Sequence, residues 1–384
     1  MIYLDHNATT RVAPEAVQEM MDVLERAWAN PSSTHGPGQA ARRILSDART
    51  RVAALLGCQG NEVVFTSGAT ESNHIAVLGA LQLGRSQGRD RIVMSAVEHP
   101  GMLALGRRLA AEGVTVDLIP VDADGRLDLQ AARALIGPDV ALLSVMAANN
   151  ETGAVLPVAE LAALAQAHQV PFHMDATQLI GKARLRFADS GADLWSVSAH
   201  KLHGPKGIGA LVVKKGWNWP ALQSGKQERN RRGGTENLPG IAGFAAAADR
   251  TLRTLDDDLR HMQGLRDRLE AGLRASVPEL YVYAGKVERL PNTLCVRFGV
   301  QDAERVLGKL ERAGVIASSG AACTASGTQP SHVLVAMGAT AEEAKGSVRF
   351  SIGRGTTLAE IDETLAVVGR VIVPLLHEDS AVSA

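Results

Sequence analysis

Residues 61–83, NEVVFTSGATESNHIAVLGALQL, decide the fold class. Glu62–Thr66 reads as a buried strand, rich in the β-branched and aromatic side chains that suit a pleated sheet. A Ser-Gly-Ala-Thr turn follows, and Ser72–Leu83 reads as a helix. Working outward, the same style recurs. Arg91–Ser95, Thr115–Val121, Val140–Met146, Val170–Asp175, Leu194–Ser198 and Ile208–Val213 read as strands, with helical stretches between them. Strands separated by helices predict a largely parallel sheet covered on both faces.

The pattern then changes. Ile241, Phe244, Ala248, Leu252, Leu255, Leu259, Met262, Leu265, Leu269 and Leu273 recur at helical spacing. They predict one long amphipathic helix, broken before Pro278, that links two domains. A coiled coil fits less well, because the run is short and lies mid-chain. Beyond it come Leu280–Ala284, Leu294–Phe298, a helix near Ala303–Ala313 and the strand Ser347–Ile352. Thr357 with Glu360 three residues later makes a capping box for a last helix. The small, polar tail after Glu378 is expected to fray. At 384 residues the chain exceeds what one compact core usually holds.

Composition excludes some functions. The formal net charge is −1 and no long Lys/Arg run exists, which argues against a broad nucleic-acid face. No uncharged apolar run reaches the roughly 18 residues that span a bilayer. The opening MIYLDHNATT has neither the basic nor the apolar region of a signal peptide. The cysteines, Cys58, Cys295 and Cys323, lie far apart without a CxxC pair, so a reducing cytoplasm is expected.

Three strand ends carry polar residues of interest. Residues 63–73, VVFTSGATESN, run from a strand into a helix start, where exposed N–H groups and the Thr70 hydroxyl suit a phosphate. An ordinary N-cap is the plainer reading. Residues 171–181, PFHMDATQLIG, end an apolar strand at Asp175, with Gln178 three further on. A buried carboxylate needs a cationic partner, and a pyridinium nitrogen would serve. A structural core-edge aspartate fits equally well. Residues 195–213, WSVSAHKLHGPKGIGALVV, place Lys201 just past a strand. There a lysine can lose its proton and form a Schiff base, although most lysines are solvated surface charges. The His200/His203 spacing lacks a third ligand at motif distance, so a metal site is not expected.

A phosphate turn, a strand-end aspartate and a strand-end lysine together describe a pyridoxal-phosphate site. The chain resembles the NifS/IscS-type cysteine desulfurases, of the class V aminotransferase family. The matching motifs are YLDHNATT, NPSSTHGPG, TSGATESN, VEHP, ANNETG, DATQ, SAHKLHGPKG, RRGGTEN, SSGAACTASG and VRFSIGR, in family order from residue 3 to residue 354. The resemblance implies the α/β fold type I. A large domain, expected at 14–250, holds a mostly parallel seven-stranded sheet between helices. A smaller α+β domain is expected from 1–13 and 251–384.

The resemblance also implies roles. Lys201 holds pyridoxal 5'-phosphate as a Schiff base. Asp175 partners the pyridine nitrogen, and Gln178 donates to the ring oxygen. His99 stacks on the ring and serves in proton transfer. Ala69, Thr70, Ser198 and His200 cradle the phosphate. Thr235 reaches the phosphate of the other subunit of a homodimer, although its segment also reads as a flexible basic loop. Arg349 clamps the carboxylate of L-cysteine, which a planar guanidinium grips bidentately. Asn150 lies near substrate and ring. Cys323 attacks the substrate sulfur as a thiolate and becomes a persulfide. Its surroundings, rich in Ser, Gly, Ala and Thr, have little to bury. Cys295, inside a strand, reads as inert packing, and Cys58 as incidental.

Ala321 departs from the serine of many members, and Ser224 and Lys226 flank a lone Gly225 where a glycine pair is common. The catalytic positions are unaltered. The reaction implied yields alanine and supplies sulfur to an acceptor such as an iron–sulfur scaffold. Selenocysteine lyase shares the same apparatus. An aminotransferase would need no reactive cysteine. A catalytically silent partner-binding scaffold would be marked by loss of Lys201 or Cys323, and both are present.

Overall fold

The computed structural model describes residues 1–320 and 329–376. Among them the strands are β1 (Ile2–Tyr3), β2 (Val63–Thr66), β3 (Arg91–Ser95), β4 (Thr115–Ile119), β5 (Val140–Met146), β6 (Phe172–Asp175), β7 (Leu194–Ser198), β8 (Gly209–Val213), β9 (Leu280–Val282), β10 (Thr293–Phe298), β11 (Val315–Ile316), β12 (Ser318–Ser319) and β13 (Ser347–Ser351). A seven-stranded sheet runs in the order β2-β8-β7-β6-β5-β3-β4. Its members are parallel except β8, which is antiparallel to both β2 and β7. β5, β6, β7 and β8 are buried along their whole length, as a sheet covered on both faces requires. Prolines trim two of the expected strands. β4 stops before Pro120 and β6 starts after Pro171, since proline cannot donate to a ladder.

The helix after β2 covers Ala69–Arg85 and opens three residues earlier than the spacing predicts. The Ser-Gly-Ala-Thr turn is its first turn, with Ser72 N–H donating to Gly68 O at 3.1 Å. Gly68 has φ +155°, a conformation that L side chains rarely adopt. Helices Pro14–Arg26 and Gly36–Leu56 were not expected from the periodicity, and both pack on the long helix Leu238–Ser276.

That long helix runs through two cores. Leu238, Ile241, Phe244 and Ala248 belong to the core of the large sheet. Met262, Leu265, Leu269 and Leu273 belong to a second core with Leu4, Phe298, Val306, Phe350 and Ile361. The second core lies on an antiparallel sheet in the order β12-β13-β10-β9. The N-terminal arm joins this smaller part, because β1 pairs in parallel with β11, Ile2 opposite Val315. Thr357 and Glu360 form the expected capping box on helix Leu358–Val371.

Candidate active site

Strand register gathers the site. Across three strands Thr66, Gly209 and Ser198 lie side by side, so the turn after β2 meets the end of β7 with only the start of β8 between them. Gly209 allows this approach, since a Cβ there would sit 2.7 Å from Gly68 Cα. One strand further on, Asp175 ends β6 opposite Met146 and Ser196. The polar ends of these strands open into a cavity of about 580 Å³. Ala69, Thr70, His99, Asn150, Asp175, Gln178, Ser198, His200, Lys201 and Arg349 all line it.

At the base, Asp175 is 7% exposed. Its Oδ2 accepts from Asn73 Nδ2 at 2.9 Å, and its Oδ1 accepts from Thr177 N–H at 3.0 Å. Beyond β7, Lys201 closes a short 3-10 turn. Its Nζ donates to Asn7 O at 2.6 Å and Ala8 O at 2.8 Å. His200 Nδ1 lies 3.1 Å from Thr9 Oγ1, and burial beside Lys201 and Lys206 lowers its pKa to about 4.

His99 caps the helix Pro100–Ala111, its Nδ1 accepting from Gly101 N–H at 3.1 Å. That bond leaves the ring proton on Nε2. Burial holds His99 below the ordinary histidine pKa, Asp175 pulling upward and Lys201 downward, so the ring is neutral near pH 7. The preceding Glu98 is fully buried. Its Oε1 accepts from Ser95 Oγ at 2.5 Å and Met146 N–H at 2.8 Å, and burial pushes its pKa up to about 8.

Arg349 reaches the cavity from β13, in the smaller part, and is 1% exposed. Its Nη2 pairs with Asp5 at 2.6 Å, and its Nη1 donates to Asn150 O at 3.0 Å. Nε has no hydrogen-bond partner among the described residues. The ion pair with Asp5 was not anticipated from the sequence.

Nor was the part played by Asn7, which is almost fully buried. Its backbone O accepts from Gln178 Nε2 at 3.0 Å as well as from Lys201. Its Oδ1 accepts from Lys182 Nζ at 3.0 Å and Asn292 Nδ2 at 2.9 Å. Its Nδ2 donates to Thr293 Oγ1 at 2.8 Å and Asn150 O at 3.1 Å. The one signal in the sequence was the polar run DHNATT beside an apolar start, which names no partner. Asn73 and Thr177 also line the cavity and were likewise missed.

Thr235 is exposed and does not line the cavity of its own chain. Its segment is tied down nearby, with Arg232 Nε donating to Glu71 Oε1 at 2.9 Å and Glu228 in a buried pair with Arg49 at 2.6 Å. Cys323 lies outside the described residues. Of the other cysteines, Cys295 is buried in β10 and its thiol is pushed far up by burial, while Cys58 is pushed up to about 12. Neither is a thiolate near neutral pH. Among the described residues no helix is long and apolar enough to cross a membrane.

The sequence matches the Aminotransferase class-V family over residues 2–364. It is 47% identical to a cysteine desulfurase of Cereibacter sphaeroides over 374 residues, 97% of this chain and 95% of that one. Its structure superposes on a NifS-like protein with a TM-score of 0.90 at 33% identity, covering 96% of this chain and 98% of the other. SspA in complex with cysteine matches with a TM-score of 0.80 at 30% identity, over 93% and 100% of the two chains. The chain therefore belongs to the class-V aminotransferase family, and within it to the NifS/IscS-type cysteine desulfurases of the type I pyridoxal-phosphate fold.

Proposed function

We propose that the chain takes sulfur from L-cysteine, releases L-alanine and carries the sulfur as a persulfide on Cys323, with pyridoxal 5'-phosphate as cofactor. One observation carries this reading: Lys201, Asp175, His99 and Arg349 converge on a single cavity. The residues present fit the cofactor. A buried carboxylate suits a protonated pyridine nitrogen. The helix start at Ala69 and Thr70, with Ser198 and His200, suits a phosphate. Thr177 Oγ1 lines the same cavity, buried and without a hydrogen-bond partner among the described residues, and offers one more donor. When bound, the cofactor supplies an electron sink for the α-carbon of the amino acid.

Arg349 grips the substrate carboxylate, with Asn150 beside it. Lys201 Nζ takes the α-proton. Asp175 keeps the ring nitrogen protonated. Cys323, as a thiolate, then attacks the substrate sulfur. Its electron pair forms the new sulfur–sulfur bond, and the pair of the breaking carbon–sulfur bond stays on carbon, which is protonated on the way to alanine. His99 Nε2 is the position that handles the thiol proton.

The same reading makes the protein a cytoplasmic homodimer, in which Thr235 of the partner subunit reaches the phosphate, and gives it an iron–sulfur scaffold as sulfur acceptor. It divides the chain into a large domain, 14–250, and a small one, 1–13 with 251–384. The passage of helix Leu238–Ser276 from one core to the other supports that division.

Absorption spectroscopy and sulfide release test the proposal together. Lys201→Ala should lose the visible band of the purified protein. Cys323→Ala should keep the band and release no sulfide from cysteine. A band that survives Lys201→Ala, or full sulfide release by Cys323→Ala, refutes the assignment.

A further inference from the structure

We infer that Lys182 positions Gln178, fixing its side-chain amide so that one N–H is left for the cofactor cavity. The inference rests on reading that cavity as the pyridoxal 5'-phosphate site. Lys182 follows Gln178 by four residues, and its side chain turns inward until it is 6% exposed. Its Nζ donates to Gln178 Oε1 at 2.7 Å and Asn7 Oδ1 at 3.0 Å. Both acceptors are uncharged amides.

The surroundings favour the neutral amine. Burial pushes Lys182 well below the ordinary lysine pKa, and the like charges of Lys201 and Arg349 add to that shift. His6 and His200 also face Lys182, and burial holds both near pKa 4. The nearby carboxylates have other partners: Asp5 pairs with Arg349, and Asp258 accepts from Thr254 Oγ1 at 2.7 Å. Lys182 and Arg354 both line a second, small cavity behind the site, where Arg354 adds only positive charge. A neutral amine has two N–H groups for its two acceptors. An ammonium would bring a third into a buried site, an expensive mismatch.

The orientation of Gln178 follows. Its Oε1 is taken by Lys182, so Nε2 lies at the other end, and one of its N–H groups goes to Asn7 O at 3.0 Å. The remaining N–H is available to the cavity that Gln178 lines. A flipped amide would set Oε1 against the Asn7 carbonyl oxygen and Nε2 against the Lys182 donors. Lys182 and Asn7 together therefore select the donor face of Gln178, and Lys182 acts on the reaction only through it.

A double-mutant cycle on the holoenzyme tests this, read as the pH midpoint of the visible absorption band and as kcat and KM for cysteine. Lys182→Met and Gln178→Ala should each move the midpoint in the same direction and lower kcat about three- to tenfold, the scale of one lost hydrogen bond. The double variant should match Gln178→Ala alone. A Lys182→Met effect that persists undiminished without Gln178, or an unmoved midpoint, overturns the proposal. Should Lys182→Met fail to fold, glutamine-labelled wild-type holoenzyme gives an independent answer by NMR. The Gln178 side-chain amide should be protected from solvent exchange and held in one orientation, and a rapidly exchanging, averaged amide refutes the inference. Retention of the wild-type band in Lys201→Ala would instead defeat the cofactor reading itself.

Discussion

The two sides of the cavity are built in different ways. Asp175, Ser198 and Lys201 stand at or just past the ends of β6 and β7, in the middle of a seven-stranded sheet. Many backbone hydrogen bonds place such residues at once, so a single substitution there leaves the frame intact. The opposite side comes from β13 and the N-terminal arm. Backbone pairing anchors it too, through β1–β11 and the ladder of β13, but side-chain bonds set its polar groups: Arg349 to Asp5, and Asn7 to Lys182, Asn292 and Thr293. Each of those bonds is a separate hold, and losing one leaves a buried group without its partner. The sheet side can fix a charge at a point in space, as chemistry demands. The arm side can grip and align a substrate.

That contrast can be broken at three places. The largest effect is expected at Asp175. Asp175→Ala should lower kcat about 10³-fold, the scale of one partner lost from a buried charge pair, with little change in KM. Next comes Arg349→Lys, expected to lower kcat/KM for cysteine roughly 10²-fold, mostly through KM, because an ammonium does not reproduce the guanidinium fork. Steady-state kinetics of both variants decide the matter. If Asp175→Ala raised KM and Arg349→Lys slowed only kcat, the division of labour would be wrong.

The smallest effect concerns the seam between the two sides. Glu151 follows the end of β5, and its Oε2 accepts from Ser331 Oγ at 2.5 Å. Burial raises its pKa to about 7, against the pull of Ser331 and Arg349. A carboxyl raised in the folded state contributes stability that is complete below the unfolded pKa and is lost as pH climbs through the folded value. Relative to Glu151→Gln, the native protein should therefore lose up to about 3 kcal/mol between pH 4.5 and pH 7. Denaturant titrations of the two proteins that ran parallel across that window would show that the seam is not a dry boundary.

The contrast also explains what the sequence reveals. β3, β5 and β7 have the boundaries that their apolar runs predict. Asp175, Ser198 and Lys201 are legible because strand ends are read from local periodicity. The antiparallel direction of β8 is not, since an apolar run looks the same in either direction. Helix Gly36–Leu56 escaped notice even though Gly57 closes it at φ +67°. Its buried face mixes Gly38, Ala41, Ala48, Ala53 and Arg49 with only a few large apolar side chains, which leaves a weak periodic signal. The arm is harder still. Asn7 meets partners 143 to 344 residues away, and no spacing rule reaches that far. Lys182 looks like any surface lysine until the fold buries it.

One feature of the arm bears on how the apoprotein is charged. The Lys201 amine rests against the carbonyls of Asn7 and Ala8. Capture of an aldehyde requires the free base and a nitrogen released from those oxygens. Uptake of the coenzyme should therefore run at a pace set by how readily the first eight residues of the chain let go of that nitrogen.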